Sequence, residues 1–173
     1  GRSITSGESF FITKASAIGT NGKISLAPAS LGSIKEILVG QEQWNLNTGA
    51  FLVSEGGVHY IMERQKLDGA LFGGTGGLFV MKTQGSGKML ISGYGDIVEI
   101  ALDGTEDFVV DNQHVLAWTE SLSYSIEVAS GTFGFKTGEG LVNKFRGKGK
   151  ILIQSRNVEA LAQSIIPFIP SKG

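Results

Sequence analysis

Two histidines, His59 and His114, and no cysteine make up the soft metal ligands and thiols of this 173-residue sequence. Asp111 stands three residues before His114, so one turn could pair them, but a metal would have to complete its shell from carboxylates alone. The simpler reading has Asp111 capping a turn with His114 partly exposed beside it. Without cysteine there are no disulfides, thiolate metal sites or cysteine nucleophiles, which is compatible with a reducing compartment. Serine chemistry fares no better. Gly85-Ser86-Gly87 has small neighbours around a serine, yet it sits in a turn between apolar runs and not at the strand-to-helix corner of a nucleophile elbow.

Gly22-Lys23, Gly87-Lys88 and Gly149-Lys150 invite a phosphate-loop reading. That loop needs a glycine five residues earlier and Ser or Thr next; the first place holds Ala17, Lys82 and Lys144, and the last holds Ile24, Met89 and Ile151. These pairs are therefore read as turns carrying a solvated lysine. The glycine-dense stretches from Gly69 to Gly77 and from Gly131 to Gly140 could present backbone N–H groups to an anion. No helix follows them, so Gly73, Gly74, Gly76, Gly77, Gly138 and Gly140 are assigned a structural role at strand corners where backbones pack closely. No catalytic residue, metal or cofactor is assigned, and the chain is not read as an enzyme.

Two surfaces remain. Lys144, Arg146, Lys148, Lys150 and Arg156 form a basic stretch with no acid between Glu139 and Glu159, and Phe145 interleaves. Such a stretch could contact an anion or a nucleic-acid backbone, but 15 Lys and Arg against 16 Asp and Glu leave a net charge of -1, which weakens that reading for the whole chain. The second surface is the tail Ile165-Ile166-Pro167-Phe168-Ile169-Pro170, more apolar than a two-turn helix can bury. Ile165 and Phe168 are the expected contacts of a protein partner or a second copy; packing back on the parent sheet is the alternative.

The elements that carry these residues repeat. An apolar strand, a lysine, a glycine turn, a second lysine and another apolar strand occur in Phe10 to Lys14 with Gly22 to Leu26, in Leu78 to Lys82 with Gly87 to Ile91, and in Leu141 to Phe145 with Gly149 to Ile153. Each reads as a hairpin. Leu46 to Val53 lies over Val110 to Ala117 at an offset of 64 that carries on to Tyr60 and Tyr124. These blocks read as strands separated by Asn/Asp and Ser/Glu/Gly turns. Everything before Asn157 is expected to be β, followed by a helix of at most two turns: Val158, Leu161, Ala162 and Ile165 share a face, Asn157 can cap, Glu159 suits the first turn and Pro167 stops the run. Phe11, Phe79, Leu52, Leu116, Leu90 and Ile153 hold matching places in the copies and are expected to be buried.

Gly7 to Phe11, Leu71-Phe72-Gly73-Gly74, Gly138 to Val142 and Gln154-Ser155-Arg156-Asn157 with Glu159-Ala160-Leu161 resemble the altered-inheritance-of-mitochondria 24 family, from Gly7 to about Ala162. The resemblance implies a fold similar to the tryptophan RNA-binding attenuator protein, with bent antiparallel ribbons repeated about a pseudo-threefold axis. It carries over no catalytic residue. The expected architecture is a single all-β domain of internal repeats, about 7–68, 76–130 and a partial 138–156, with a C-terminal helix and tail over 157–173.

The expected function is a non-enzymatic scaffold or assembly module, a homo-oligomer or a protein's partner; a ligand- or nucleic-acid-binding module using Lys144 to Arg156 is the second reading. The longest apolar run is too short to span a membrane as a helix, and GRSITSGESF lacks the apolar core of a secretory signal, so a cytoplasmic protein is the default expectation. With 41% apolar residues the chain can bury a core, and 26 glycines favour turns. The third hairpin passes into helix where the others continue, and the chain begins at Gly1. The reading is therefore two and a half repeats with unpaired strand edges at Phe10 to Lys14 or at the third hairpin; the family resemblance implies a block upstream that would complete the third copy.

Overall fold

The computed structural model describes residues 12–64, 79–128 and 141–170. They form an all-β protein of antiparallel ladders with one short helix near the C-terminus, the expected class. A four-strand block comes first: β1 (Gly32–Val39), β2 (Trp44–Asn47), β3 (Phe51–Ser54) and β4 (Val58–Arg64). β5 (Phe79–Gly85) and β6 (Gly87–Tyr94) follow it. The same order recurs as β7 (Ile97–Asp103), β8 (Phe108–Asp111), β9 (Val115–Thr119), β10 (Ser123–Val128), β11 (Leu141–Arg146) and β12 (Lys148–Gln154), ahead of helix α1 (Val158–Ile165).

Pairing shows how the two halves are built. β6 lies between β1 and β3 while β5 lies between β4 and β2; β12 lies between β7 and β9 while β11 lies between β10 and β8. Residues 32–94 and 97–154 are thus two copies of one unit, a block of four strands whose two gaps are filled by the two strands that follow it. Single-turn 3₁₀ segments at Thr48–Ala50 and Asn112–His114 bend β2 into β3 and β8 into β9. In the second, the Asp111 carboxylate accepts from the Gln113 N–H at 2.8 Å, the turn cap its position suggested. Each ladder also skips one residue at the same place, Leu52 opposite β6 and Leu116 opposite β12, 64 apart like the rest of the block.

The expected hairpins are corners instead. β5 and β6 belong to different sheets, as do β11 and β12. Their connections are the single residues Ser86 and Gly147, shorter than the two-residue turn a hairpin uses. Glycine sets the direction at the first corner, where Gly85 has φ 82° and Gly87 has φ 147°, and a Cβ on Gly85 would stand 2.3 Å from the Gly57 carbonyl oxygen.

The repeat register differs from expectation at both ends. Residues 12–31 contain no strand, although they include the second arm of the first copy, and Ile18, Ile24, Leu26 and Leu31 are exposed. In both units the arms are held by the block that precedes them. The third pair of arms, expected to be half a repeat with a bare edge, is complete: β11 and β12 each have a neighbour on both sides. Its block had already been read, as the second half of the second copy.

The units are joined by β2 and β9, which pair Trp44 with Thr119, Asn45 with Trp118 and Leu46 with Ala117 in the middle of a six-stranded sheet. Leu46 and Ala117 are 0% exposed. The two cores interlock across this ladder: Leu116, Ala117 and Leu152 pack with Ile37, Trp44, Leu46, Met89 and Ile91, and Val80 packs with Val115, Trp118, Phe145 and Ile151. Of the residues expected in the core, Leu116 is buried, whereas Phe79, Leu52, Leu90 and Ile153 are half-buried and Phe11 lies outside the described residues. Their neighbours Val80, Met89, Ile91 and Leu152 are the deeper ones. Successive strand residues face opposite ways, and likeness between copies shows that two positions share a face without saying which face is inner. The connectors with Gly73, Gly74, Gly76, Gly77, Gly138 and Gly140 also lie outside the described residues.

Leu46→Ala, at the junction, should cost about 3 kcal/mol in denaturant unfolding, and Leu52→Ala, half-buried at the matching bulge, clearly less. Gly85→Ala should destabilise by roughly 1 kcal/mol or more through its left-handed backbone alone.

Candidate interaction surface

Helix α1 hangs from the end of β12 by a short tether. The Ser155 N–H donates to Asp96 O at 2.9 Å and the Arg156 N–H to Tyr94 O at 3.2 Å. Asn157 is extended (φ -137°, ψ 157°) and its Oδ1 accepts from the Ala160 N–H at 2.7 Å, satisfying one of the helix's orphan donors. Glu159 lies in the first turn, and Pro167 opens a final 3₁₀ turn at Ile166–Phe168. The cap and both ends agree with the sequence reading.

What the helix does not do is pack. No residue of α1 is buried; Leu161 is half-buried, while Val158, Ile165, Ile166 and Ile169 are 46–67% exposed and Phe168 is 84% exposed. The tail therefore is not buried against the parent sheet, and Ile165 and Phe168 are both exposed.

Beneath the helix start, Tyr94, His114, Ser155, Arg156, Asn157 and Leu161 are among the residues lining a cavity of about 330 Å³. His114 Nδ1 lies 2.7 Å from Gln154 O, and Asn157 Nδ2 lies 3.1 Å from Nε2. Both ring nitrogens are thus engaged, and the Asp111 carboxylate faces its own turn instead, so this pair is not arranged to hold a metal. His59 is exposed on β4. Among the described residues no three His, Asp or Glu side chains gather as a metal ion would require.

Lys144, Arg146 and Lys150 of the basic stretch have ion-pair partners remote in sequence. Lys144 Nζ and Arg146 Nε both meet Asp107, at 3.0 and 3.1 Å, and Lys150 Nζ meets Glu42 at 3.0 Å. Hydrogen bonds from Lys144 first and then Arg146 hold the Asp107 carboxyl below its usual range, and the bond to Glu42 raises Lys150 above its own. Lys148 is exposed near Asp103, whose carboxyl is lowered mainly by the Thr105 hydroxyl and only slightly by this lysine. Arg156 stands apart, at the cavity. Elsewhere, burial first and then Glu63 push the Tyr124 hydroxyl up to about 12. Sequence could show that the stretch lacks acids; it could not show which distant acids the sheets bring alongside.

Neutralising those acids should expose the basic face. Asp107→Asn combined with Glu42→Gln is expected to elute from heparin at higher salt than the parent, whose own retention should be weak. Because the Asp107 carboxyl is lowered in the fold, its contribution to stability is present above about pH 4 and lost as pH falls through the folded value. Asp107→Asn alone should therefore flatten the acid limb of the stability curve.

Comparison with known proteins places this architecture. A crystal structure of a Streptococcus pyogenes protein superposes with a TM-score of 0.70 at 42% identity, over 83% of this chain and 63% of that one. A curated but uncharacterised protein of Streptococcus pyogenes serotype M6 is 47% identical over 172 residues, 99% of this chain and 68% of that protein. The chain thus spans about two thirds of the length of these relatives. No helix among the described residues is long and apolar enough to cross a membrane. The family model for mitochondrial biogenesis AIM24 matches residues 1–156, and the chain belongs to that family.

Proposed function

We propose that the chain is a non-catalytic assembly module whose two interlocked six-strand units display α1 and the tail for self-association. The carrying observation is the tail itself: Ile165, Ile166, Phe168 and Ile169 are all exposed on a helix end that has no buried residue. An apolar cluster of this kind on a tethered helix favours a protein contact. Pairing of Lys144, Arg146 and Lys150 with Asp107 and Glu42 argues in the same direction, because a nucleic-acid backbone would have to compete with those carboxylates.

Light scattering tests the reading. The parent should show a mass above that of one chain, and the double variant Ile165→Ser, Phe168→Ser should fall toward the monomer with its melting temperature nearly unchanged. A monomeric parent, or equal masses for parent and variant, would sink the reading; a large loss of stability would show that the tail belongs to the core.

A further inference from the structure

We infer that His114 acts as a proton-operated latch on the cap of α1: neutral His114 holds Asn157 in the orientation that caps the helix, and protonation at Nε2 releases it. Three hydrogen bonds carry the inference. A backbone carbonyl can only accept, so the 2.7 Å contact with Gln154 O requires the ring proton on Nδ1. A backbone N–H can only donate, so the 2.7 Å contact with Ala160 N requires Asn157 to point its Oδ1 at the helix. The Asn157 amide is thereby left with its NH₂ facing Nε2 at 3.1 Å, a bond that exists only while Nε2 carries no proton.

Protonation puts two donors face to face. The ring cannot escape by switching tautomer, because Nδ1 remains bound to Gln154 O. Asn157 can turn its oxygen to the new Nε2–H only by presenting its NH₂ to the Ala160 N–H, which uncaps the helix. The other charged and titratable groups around the ring come from each neighbouring element. Tyr94 from β6 and Arg156 from the tether line the same cavity. Asp111 precedes the turn that carries His114, bound to Gln113 N. Glu159 of α1 reaches back to the Gln113 side chain, so the same turn is tied to the helix a second time. Histidine is the side chain that ordinarily changes charge between pH 5 and 8. The latch stands on these bonds alone; its effect on association rests on the assembly reading above.

The test is nuclear magnetic resonance of the ¹⁵N-labelled full chain from about pH 8 to about pH 5, the range in which histidine titrates. At high pH the His114 ring nitrogens should report the Nδ1–H tautomer. On acidification the Ala160 amide proton should move upfield with the midpoint of the His114 ring and not with that of His59. The helix–coil equilibrium constant of α1 should fall by about fivefold, the factor an ordinary N-cap makes. Asn157→Asp supplies the second arm, since aspartate caps with one oxygen and offers the other as an acceptor to protonated Nε2, so the upfield movement should disappear. An Ala160 amide that stays fixed while His114 titrates, or an Asn157→Asp chain that behaves as the parent, would overturn the latch. Light scattering across the same pH range reads association separately, so failure of the assembly surface and failure of the latch are distinguishable.

Discussion

The ladder between β2 and β9 is the constraint on which the rest of the molecule depends. It brings Trp44, Asn45 and Leu46 against Ala117, Trp118 and Thr119, all of them buried, and it is the only ladder between the two units among the described residues. Buried apolar surface stabilises by roughly 25 cal/mol per Å², so a six-residue dry ladder holds the units far more firmly than the exposed ion pairs around it. The joint also carries polar atoms without partners: Asn45 Oδ1 and Trp118 Nε1, on residues opposite one another, have no hydrogen bond. Such orphans are costly in a buried joint.

Much of this fold was legible because it repeats. The offset of 64 between Leu46 to Val53 and Val110 to Ala117 survives as two matching strand–turn–strand segments, down to the skipped Leu52 and Leu116. The Asn157 cap was equally plain, since it depends only on residues within one turn of each other. What could not be read was pairing between distant strands. The Gly-Lys segments look like hairpins in sequence because two apolar runs flank a turn; in space the runs of the second and third segments pair with a block emitted earlier in the chain, and their connections turn a corner instead of closing a ladder.

The surface followed the same division. Local features, the helix and its apolar tail, were read where they lie. For the basic stretch from Lys144 to Arg156 the sequence shows the charges but not their partners, because charge counted along a segment ignores what the sheets set beside it. Asp107 precedes β8 and Glu42 precedes β2, and neither is within thirty residues of the lysine it pairs with. The link between His114 and Asn157 is of that kind too: the spacing from Asp111 drew attention to His114, while its working partners stand 40 and 43 positions away.

The order of strands within a unit bears on how the chain leaves the ribosome. Each block is synthesised before the two strands that fill it, so β1 through β4 emerge with two open gaps and can close only when β5 and β6 follow. Vectorial synthesis thus delivers the receptor first and its ligand second, with the connector between them setting the effective concentration for closure. Because the arms of the two units share their pattern of apolar residues, lysine and glycine, a gap left open too long can accept the arms of another molecule. Strand exchange between nascent chains is then a competing outcome of the same pairing that completes the fold.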